Sequence, residues 1–235
     1  LLHGLTTDMD EGSGKMYMRY ADSLAEKGFN AFRFSFRGHG ESQGEEQGAT
    51  IAGEMLDLKA ALDHVKEKFE GPYIISAASF GAVSTCLSLP YIEKDIKALV
   101  LLFPTLDLEK TIIDPQTEWG KRNFTGEKLR ELDVKGFIEY ENGFKIGRVL
   151  YEEMKRYDPG KLFVNSEVPA LIVHSEEDEY VPYKFSKEAC EKRKNCELVS
   201  IPNSGHGFDS HEKCMETTEK EAEGIEITVN WIQEI

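Results

Sequence analysis

Ser79 is the residue whose surroundings invite chemistry. It lies in Ala77-x-Ser79-x-Gly81, with a small residue two before it and two after. Residues 73–77 before it form a short apolar run that reads as a buried strand. Ala82, Val83, Cys86, Leu87 and Leu89 after it read as a buried helix. A strand-to-helix turn this tight presses the flanking positions against neighbouring backbone, so Gly or Ala must occupy them. The serine is then held out at the strand's carboxyl end, with Oγ over the amino end of the helix, where the dipole favours developing negative charge. A serine that merely caps a buried helix would fit the same register.

A hydroxyl is a poor nucleophile until a base takes its proton, and the base needs an orienting group behind it. Two segments offer candidates, each just past a predicted strand: residues 175–182 follow the strand at 169–174, and residues 202–208 follow the strand at 197–201. In the second, Gly205 and Gly207 flank His206 and let a loop carry the imidazole over the sheet edge. Acids are plentiful: Glu176, Glu177, Asp178 and Glu179 stand in the first segment, and Asp209 closely follows His206.

The elements that must position these groups alternate. Helical periodicity over residues 16–27 places Met16, Tyr17, Tyr20, Ala21 and Leu24 on one face, with Gly28 as a stop. Residues 31–36 (AFRFSF) read as a strand running into Arg37-Gly38-His39-Gly40-Glu41-Ser42, where Arg37 and His39 read as structural. Residues 50–69 form the clearest amphipathic helix: Ile51, Met55, Leu58, Leu62, Val65 and Phe69 share a face, with charged residues opposite. Residues 98–103, 169–174 and 197–201 are further strands; residues 183–193 and 217–235 are helical. Short strands alternating with helices predict a mostly parallel central sheet with helices on both faces, an α/β fold whose ligands bind beyond the strands' carboxyl ends. His174 ends a core strand in this reading, His64 lies in the amphipathic helix, and His211 faces solvent. At the start, Leu1-Leu2 runs into His3-Gly4, whose loop can offer backbone N–H groups to an oxyanion.

About sixty residues separate the strands at 98–103 and 169–174, far beyond an ordinary crossover. The insert carries Trp119, Phe124, Phe137, Tyr140, Phe144, Tyr151 and Tyr157, and residues 144–157 have helical periodicity. It reads as a small cap over the site, giving a core of residues 1–105 and 166–235 and a cap of residues 106–165. A surface excursion whose aromatics pack on the core is the plainer alternative.

A formal net charge of −15 over 235 residues, without a basic block to offset it, excludes nucleic acid as the natural partner. No apolar run is long enough to span a bilayer, and no basic-then-apolar leader opens the chain. Cys86, Cys190, Cys196 and Cys214 lack CxxC spacing and read as free thiols in a reducing cytosol.

Five signals occur in order: His3-Gly4, Arg37-Gly38-His39-Gly40-x-Ser42, Ala77-x-Ser79-x-Gly81, Asp178-x-x-Val181-Pro182 and Gly205-His206-Gly207. On these residues the chain resembles the α/β-hydrolase superfamily, and its size, His-Gly loop and single cap resemble bacterial carboxylesterases of the cinnamoyl/feruloyl esterase-like group. Related proteins have additional strands ahead of the first one here. The resemblance implies a triad of Ser79 as nucleophile, His206 as base and Asp178 as its orienting acid, the last chosen by its place three residues before Val181-Pro182. It also implies an oxyanion hole from the backbone N–H groups of Leu5 and Phe80. The implied activity is acyl transfer from small or aromatic acyl esters, with a small-molecule ester as partner and with neither metal nor organic cofactor. Two other readings stay open: a serine exopeptidase, using Glu139, Glu141 or Glu152 to hold a substrate amine, and a non-catalytic binding protein that kept the fold. Oligomeric state stays open as well, a homodimer being one option.

Overall fold

The computed structural model describes residues 1–10, 15–140, 142–209 and 219–235. In chain order its elements are α1 (Met16–Glu26), α2 (Ile51–Lys68), β1 (Ile74–Ala78), α3 (Gly81–Ile92), β2 (Ala98–Leu102), α4 (Glu118–Asn123), α5 (Gly126–Lys135), β3 (Phe137–Glu139), β4 (Lys145–Gly147), α6 (Arg148–Met154), α7 (Pro159–Asn165), β5 (Ala170–His174), α8 (Tyr183–Lys192), β6 (Cys196–Ser200) and α9 (Glu219–Glu234). Four of the strands form a parallel sheet in the order β1-β2-β5-β6.

Because strand side chains alternate, each strand feeds both faces. Ile75, Ala77, Leu99, Leu101, Ala170 and Ile172 pack with Leu58 and Leu62 of α2, Cys86 and Leu89 of α3, Phe163 of α7 and Ala189 of α8. On the opposite face Ala78, Val100, Leu102, Leu171 and Val173 meet Tyr17 and Tyr20 of α1 and Ile225, Val229 and Ile232 of α9. Helices on both faces leave β2 apolar throughout and β1 and β5 nearly so, with Ser76 and His174 the polar residues, whereas β6 is only partly buried and carries Glu197 and Ser200.

Residues 31–36 form no ladder strand. Their neighbour is the short stretch 1–3, in which Leu2 makes a single parallel bridge to Ala77. Between the two stretches, the Phe36 N–H donates to His3 Nε2 at 3.0 Å. The amphipathic helix is present as α2, with the Thr50 side chain accepting from the Gly53 N–H as its N-cap. Its faces differ from the reading above, however. Phe69 is exposed, whereas Glu54, one turn after Ile51, is fully buried.

In the insert, residues 144–157 are not one helix. β3 and β4 pair antiparallel, and the helix that follows covers only Arg148–Met154. Gly147 sits so close to the Gln47 carbonyl that a Cβ there would come within 1.8 Å of it. The hairpin is further tied to the core by a bond from the Lys145 N–H to Glu46, and α6 by one from the Ile51 N–H to Glu153. Phe124, Leu132, Ile138, Tyr140, Ile146 and Tyr151 then build a second apolar cluster with Leu5, Ile51, Phe80 and Val83.

The cysteine reading is corrected in part. Cys190 in the last turn of α8 and Cys196 at the start of β6 lie 5.4 Å apart at Cα and form a disulfide. The pairing spans a helix-to-strand turn, a geometry that a search for CxxC spacing passes over, and it removes the support that free thiols gave to a reducing compartment. Cys86 is a free buried thiol, its pKa pushed up to about 12 by burial. Among the described residues no helix is long and apolar enough to cross a membrane. Glu141, His211, Cys214 and the predicted helical start at residues 217–218 lie outside the described residues.

Candidate active site

The turn between β1 and α3 sets the first group. Ser79 adopts φ 51°, a left-handed conformation that costs a non-glycine residue about 1–3 kcal/mol. Its N–H donates to the Leu102 carbonyl and its carbonyl accepts from the Thr105 N–H, so β2 holds the strained residue in place. The small flanking residues are required: a Cβ on Gly81 would stand 2.4 Å from the His3 carbonyl oxygen. Gly4 is in close contact on the other side, its would-be Cβ 3.1 Å from Cβ of Ser79.

The loop after β6 brings His206 to this serine, with Nε2 3.0 Å from Ser79 Oγ. Of the two flanking glycines only Gly207 uses a conformation that glycine favours, at φ 78°; Gly205 has an ordinary φ of −93°. Phe103 and Tyr180 pack on the imidazole, their ring centroids 4.7 and 5.0 Å away. The loop after β5 supplies the acid: His206 Nδ1 lies 2.7 Å from Asp178 Oδ2. The other oxygen, Oδ1, accepts the Tyr180 and Val181 N–H groups at 2.8 Å each. Ser175 joins the two loops, its hydroxyl donating to the Ser204 carbonyl. Glu176, Glu177 and Glu179 are exposed, so of the acids in this loop only Asp178 turns inward.

Burial alone would raise the Asp178 pKa. The charge of His206 and hydrogen bonds from His174 and His206 outweigh it and hold the carboxyl well below the usual carboxylate range. Asp178 is therefore an anion whose role toward His206 is to fix the tautomer with Nε2 free to accept a proton.

Leu5 and Phe80 both line the cavity beside Ser79. Among the described residues neither backbone N–H has an acceptor within the protein. The peptide joining Gly4 to Leu5 is oriented from behind. His3 Nδ1–H donates to the Gly4 carbonyl at 2.7 Å, which turns the Leu5 N–H of that planar unit the opposite way. His3 Nε2 in turn accepts the Phe36 N–H, and burial lowers the His3 pKa to about 4, so the ring is neutral in this role. His39 Nε2 lies 2.6 Å from the Leu5 carbonyl, and Arg37 pairs with Asp57 at 2.6 Å. Sequence reading left His3 unassigned as a support for the Leu5 peptide; its position just before Gly4 was the available signal.

The cavity above these groups has a volume of about 330 Å³. Trp119 forms its aromatic wall, stacked on Tyr140 and Tyr180 with centroids 5.6 and 4.8 Å away. Tyr140 and Thr111 also line the cavity, but their hydroxyl oxygens are buried away from it, without a partner among the described residues. Glu139 and Glu152 are not in the lining, and Glu152 is paired with Lys155 at 2.6 Å. Among the described residues no cluster of His, Cys, Asp and Glu could hold a metal ion.

A family model described as serine aminopeptidase, S33 (Hydrolase_4) matches residues 1–143, more than half the chain. The chain belongs to this family of α/β-hydrolases. A second model, described as TAP-like protein (Abhydrolase_4), matches residues 153–221 of the hydrolase. The AB hydrolase superfamily protein YisY of Bacillus subtilis is 26% identical over 228 residues, covering 85% of the hydrolase and 82% of YisY. Among solved structures, Est1E of Butyrivibrio proteoclasticus with ferulic acid bound is similar at TM-score 0.80 and 24% identity, over 99% of this chain and 86% of that one. A monoacylglycerol lipase of Paleococcus ferrophilus is similar at TM-score 0.68 and 18% identity, over 98% and 91%. At these identities the two structures speak for the fold of the hydrolase.

Proposed function

We propose that the hydrolase is a serine carboxylesterase acting on small or aromatic acyl esters. The observation that carries this reading is the unbroken contact from Ser79 Oγ through His206 to Asp178 at the floor of an aromatic-walled cavity. Ser79 attacks the ester carbonyl while His206 Nε2 takes the hydroxyl proton. The Leu5 and Phe80 N–H groups receive the oxyanion, and His206 returns the proton to the leaving alcohol. Water, activated by the same imidazole, then attacks the acyl-enzyme and releases the acid. Residues 106–165 act as the cap whose Trp119 and Tyr140 contact the acyl group.

The stacked wall favours a flat acyl group, and the solved Est1E complex with ferulic acid, an aromatic acid, supports that preference. An exopeptidase would need a carboxylate for the substrate amine; neither Glu139 nor Glu152 is in the lining, Glu141 lies outside the described residues, and the one carboxylate among the described lining residues is Asp209, so the choice between ester and amide rests on assay. The test is a panel of p-nitrophenyl esters of varied acyl length and aromaticity run against aminoacyl-nitroanilides. Ester turnover that Ser79→Ala abolishes is the expected result. Efficient nitroanilide cleavage with little ester turnover would overturn it in favour of the exopeptidase.

A further inference from the structure

Asp178 serves a second imidazole. His174, at the end of β5, places Nε2 3.1 Å from Asp178 Oδ2, the same oxygen that faces His206. Its other nitrogen, Nδ1, lies 2.8 Å from the Ser186 hydroxyl on α8. His174 and Ser186 are both fully buried. A carboxylate oxygen has only lone pairs to offer, so the nitrogen facing it must carry the proton. Nδ1 of the neutral ring is then an acceptor, and the Ser186 O–H donates to it. The opposite tautomer would set two acceptors against each other at 3.1 Å inside the core. Counting the Tyr180 and Val181 N–H groups on Oδ1, all four acceptor positions of Asp178 are filled.

We propose that His174 is a positioning residue for the hydrolytic reaction, held in its Nε2–H tautomer by Asp178, steadied by the Ser186 hydroxyl at Nδ1, and dividing the Asp178 anion between itself and His206. The proposal rests on the carboxylesterase reading above for its kinetic consequence, but its physical content is a property of the resting protein. Sharing Oδ2 weakens the anion's hold on His206, which keeps the imidazole from retaining the proton too strongly. Fixing Oδ2 from behind also keeps the carboxylate from turning away. The titratable groups facing His174 are Asp178, with His206 beyond it, and Tyr183 of α8, whose ring centroid is 5.6 Å away. Burial and, after it, the charge of Glu176 raise the Tyr183 pKa. Beside His174, β6 presents Ser200 and β2 carries no charged residue.

Two substitutions separate positioning from packing. In His174→Gln the amide nitrogen takes the place of Nε2 and still donates to Asp178. In His174→Asn the shorter amide reaches only the Nδ1 position, toward Ser186. For His174→Asn the expected result is a fall of about tenfold or more in kcat with KM little changed. The acidic limb of kcat/KM and the imidazole titration of His206, followed by NMR, both move to higher pH by about half a unit. His174→Gln restores both readouts to near the parent. Ser186→Ala, which removes the donor to Nδ1 and so loosens the ring's hold on Asp178 without emptying the site, shows the same shifts at smaller size and serves if His174→Asn fails to fold. The proposal is overturned if the folded Asn or Ala variant titrates like the parent, or if the Gln variant is as impaired as the Asn variant. A parent without ester turnover would instead remove the carboxylesterase reading, and the NMR titrations would still decide whether His174 acts on His206.

Discussion

Ser79 occupies a backbone conformation that its own side chain disfavours, and the bonds to Leu102 and Thr105 hold it there. Ser79→Ala keeps the strain and removes the hydroxyl; turnover should fall ~10³-fold or more with the fold intact by circular dichroism. Ser79→Gly removes both, and should melt a few degrees above Ser79→Ala because glycine tolerates φ 51°. Glu54 gives a test of sign in the pH dependence of stability. Burial, with further contributions from Asp57 and Glu153, raises its pKa from 4.5 to about 8, against a lowering hydrogen bond from Ser84. The folded state therefore binds a proton that the unfolded chain releases above its ordinary carboxylate range. This residue costs stability progressively as pH rises from about 4.5 to about 8. Glu54→Gln should raise Tm at pH 8 and much less at pH 5, as read by thermal melts at the two values. At this scale the sequence made the register around Ser79 legible, because steric exclusion leaves a mark in residue types. It did not reveal Glu54, since an acid one turn after Ile51 looks like any solvated charge until the helix's neighbours are known.

The insert shows what periodicity can and cannot deliver. Residues 144–157 carry apolar spacing compatible with a helix, yet the first of them form the second strand of a hairpin. Four residues are too few to distinguish a period of 2 from one of 3.6. The segment 31–36 failed for another reason: its residue types are those of a strand, but a ladder also needs a partner strand exchanging backbone groups, which residue types in the segment itself do not report. The buried parallel strand β2 was legible because five successive apolar residues leave little other choice, and β1 and β5 come close to the same pattern. Two consequences follow for the hairpin and its neighbours. Gly147→Ala cannot be accommodated against the Gln47 carbonyl without moving β4, so it should lower Tm and raise KM while leaving the titration of His206 unchanged. Trp119→Ala removes the shared stacking partner of Tyr140 and Tyr180, and should raise KM for aromatic acyl esters about tenfold with little effect on acetyl esters.

Across the whole molecule, the three groups at the site come from three strand ends separated by long stretches of chain, and only the sheet order brings those ends into one row. Their order along the sequence signalled the arrangement, whereas the second imidazole behind Asp178 did not stand out, because a histidine ending a buried strand reads as core. The disulfide closes a short loop beside β6, away from the described cavity lining. Loop-closure entropy for so short a ring is about 2 kcal/mol, so replacing Cys190 and Cys196 by serine should lower Tm by roughly 5 °C without changing ester turnover. The most direct measurement of the central claim is labelling of the folded protein with a fluorophosphonate probe, followed by mass mapping of the adduct alongside ester turnover. A single adduct on Ser79, formed in step with loss of turnover and absent from His206→Ala, is the expected result. Folded protein that hydrolyses esters without an adduct on Ser79, or that takes the label on another residue, would contradict it.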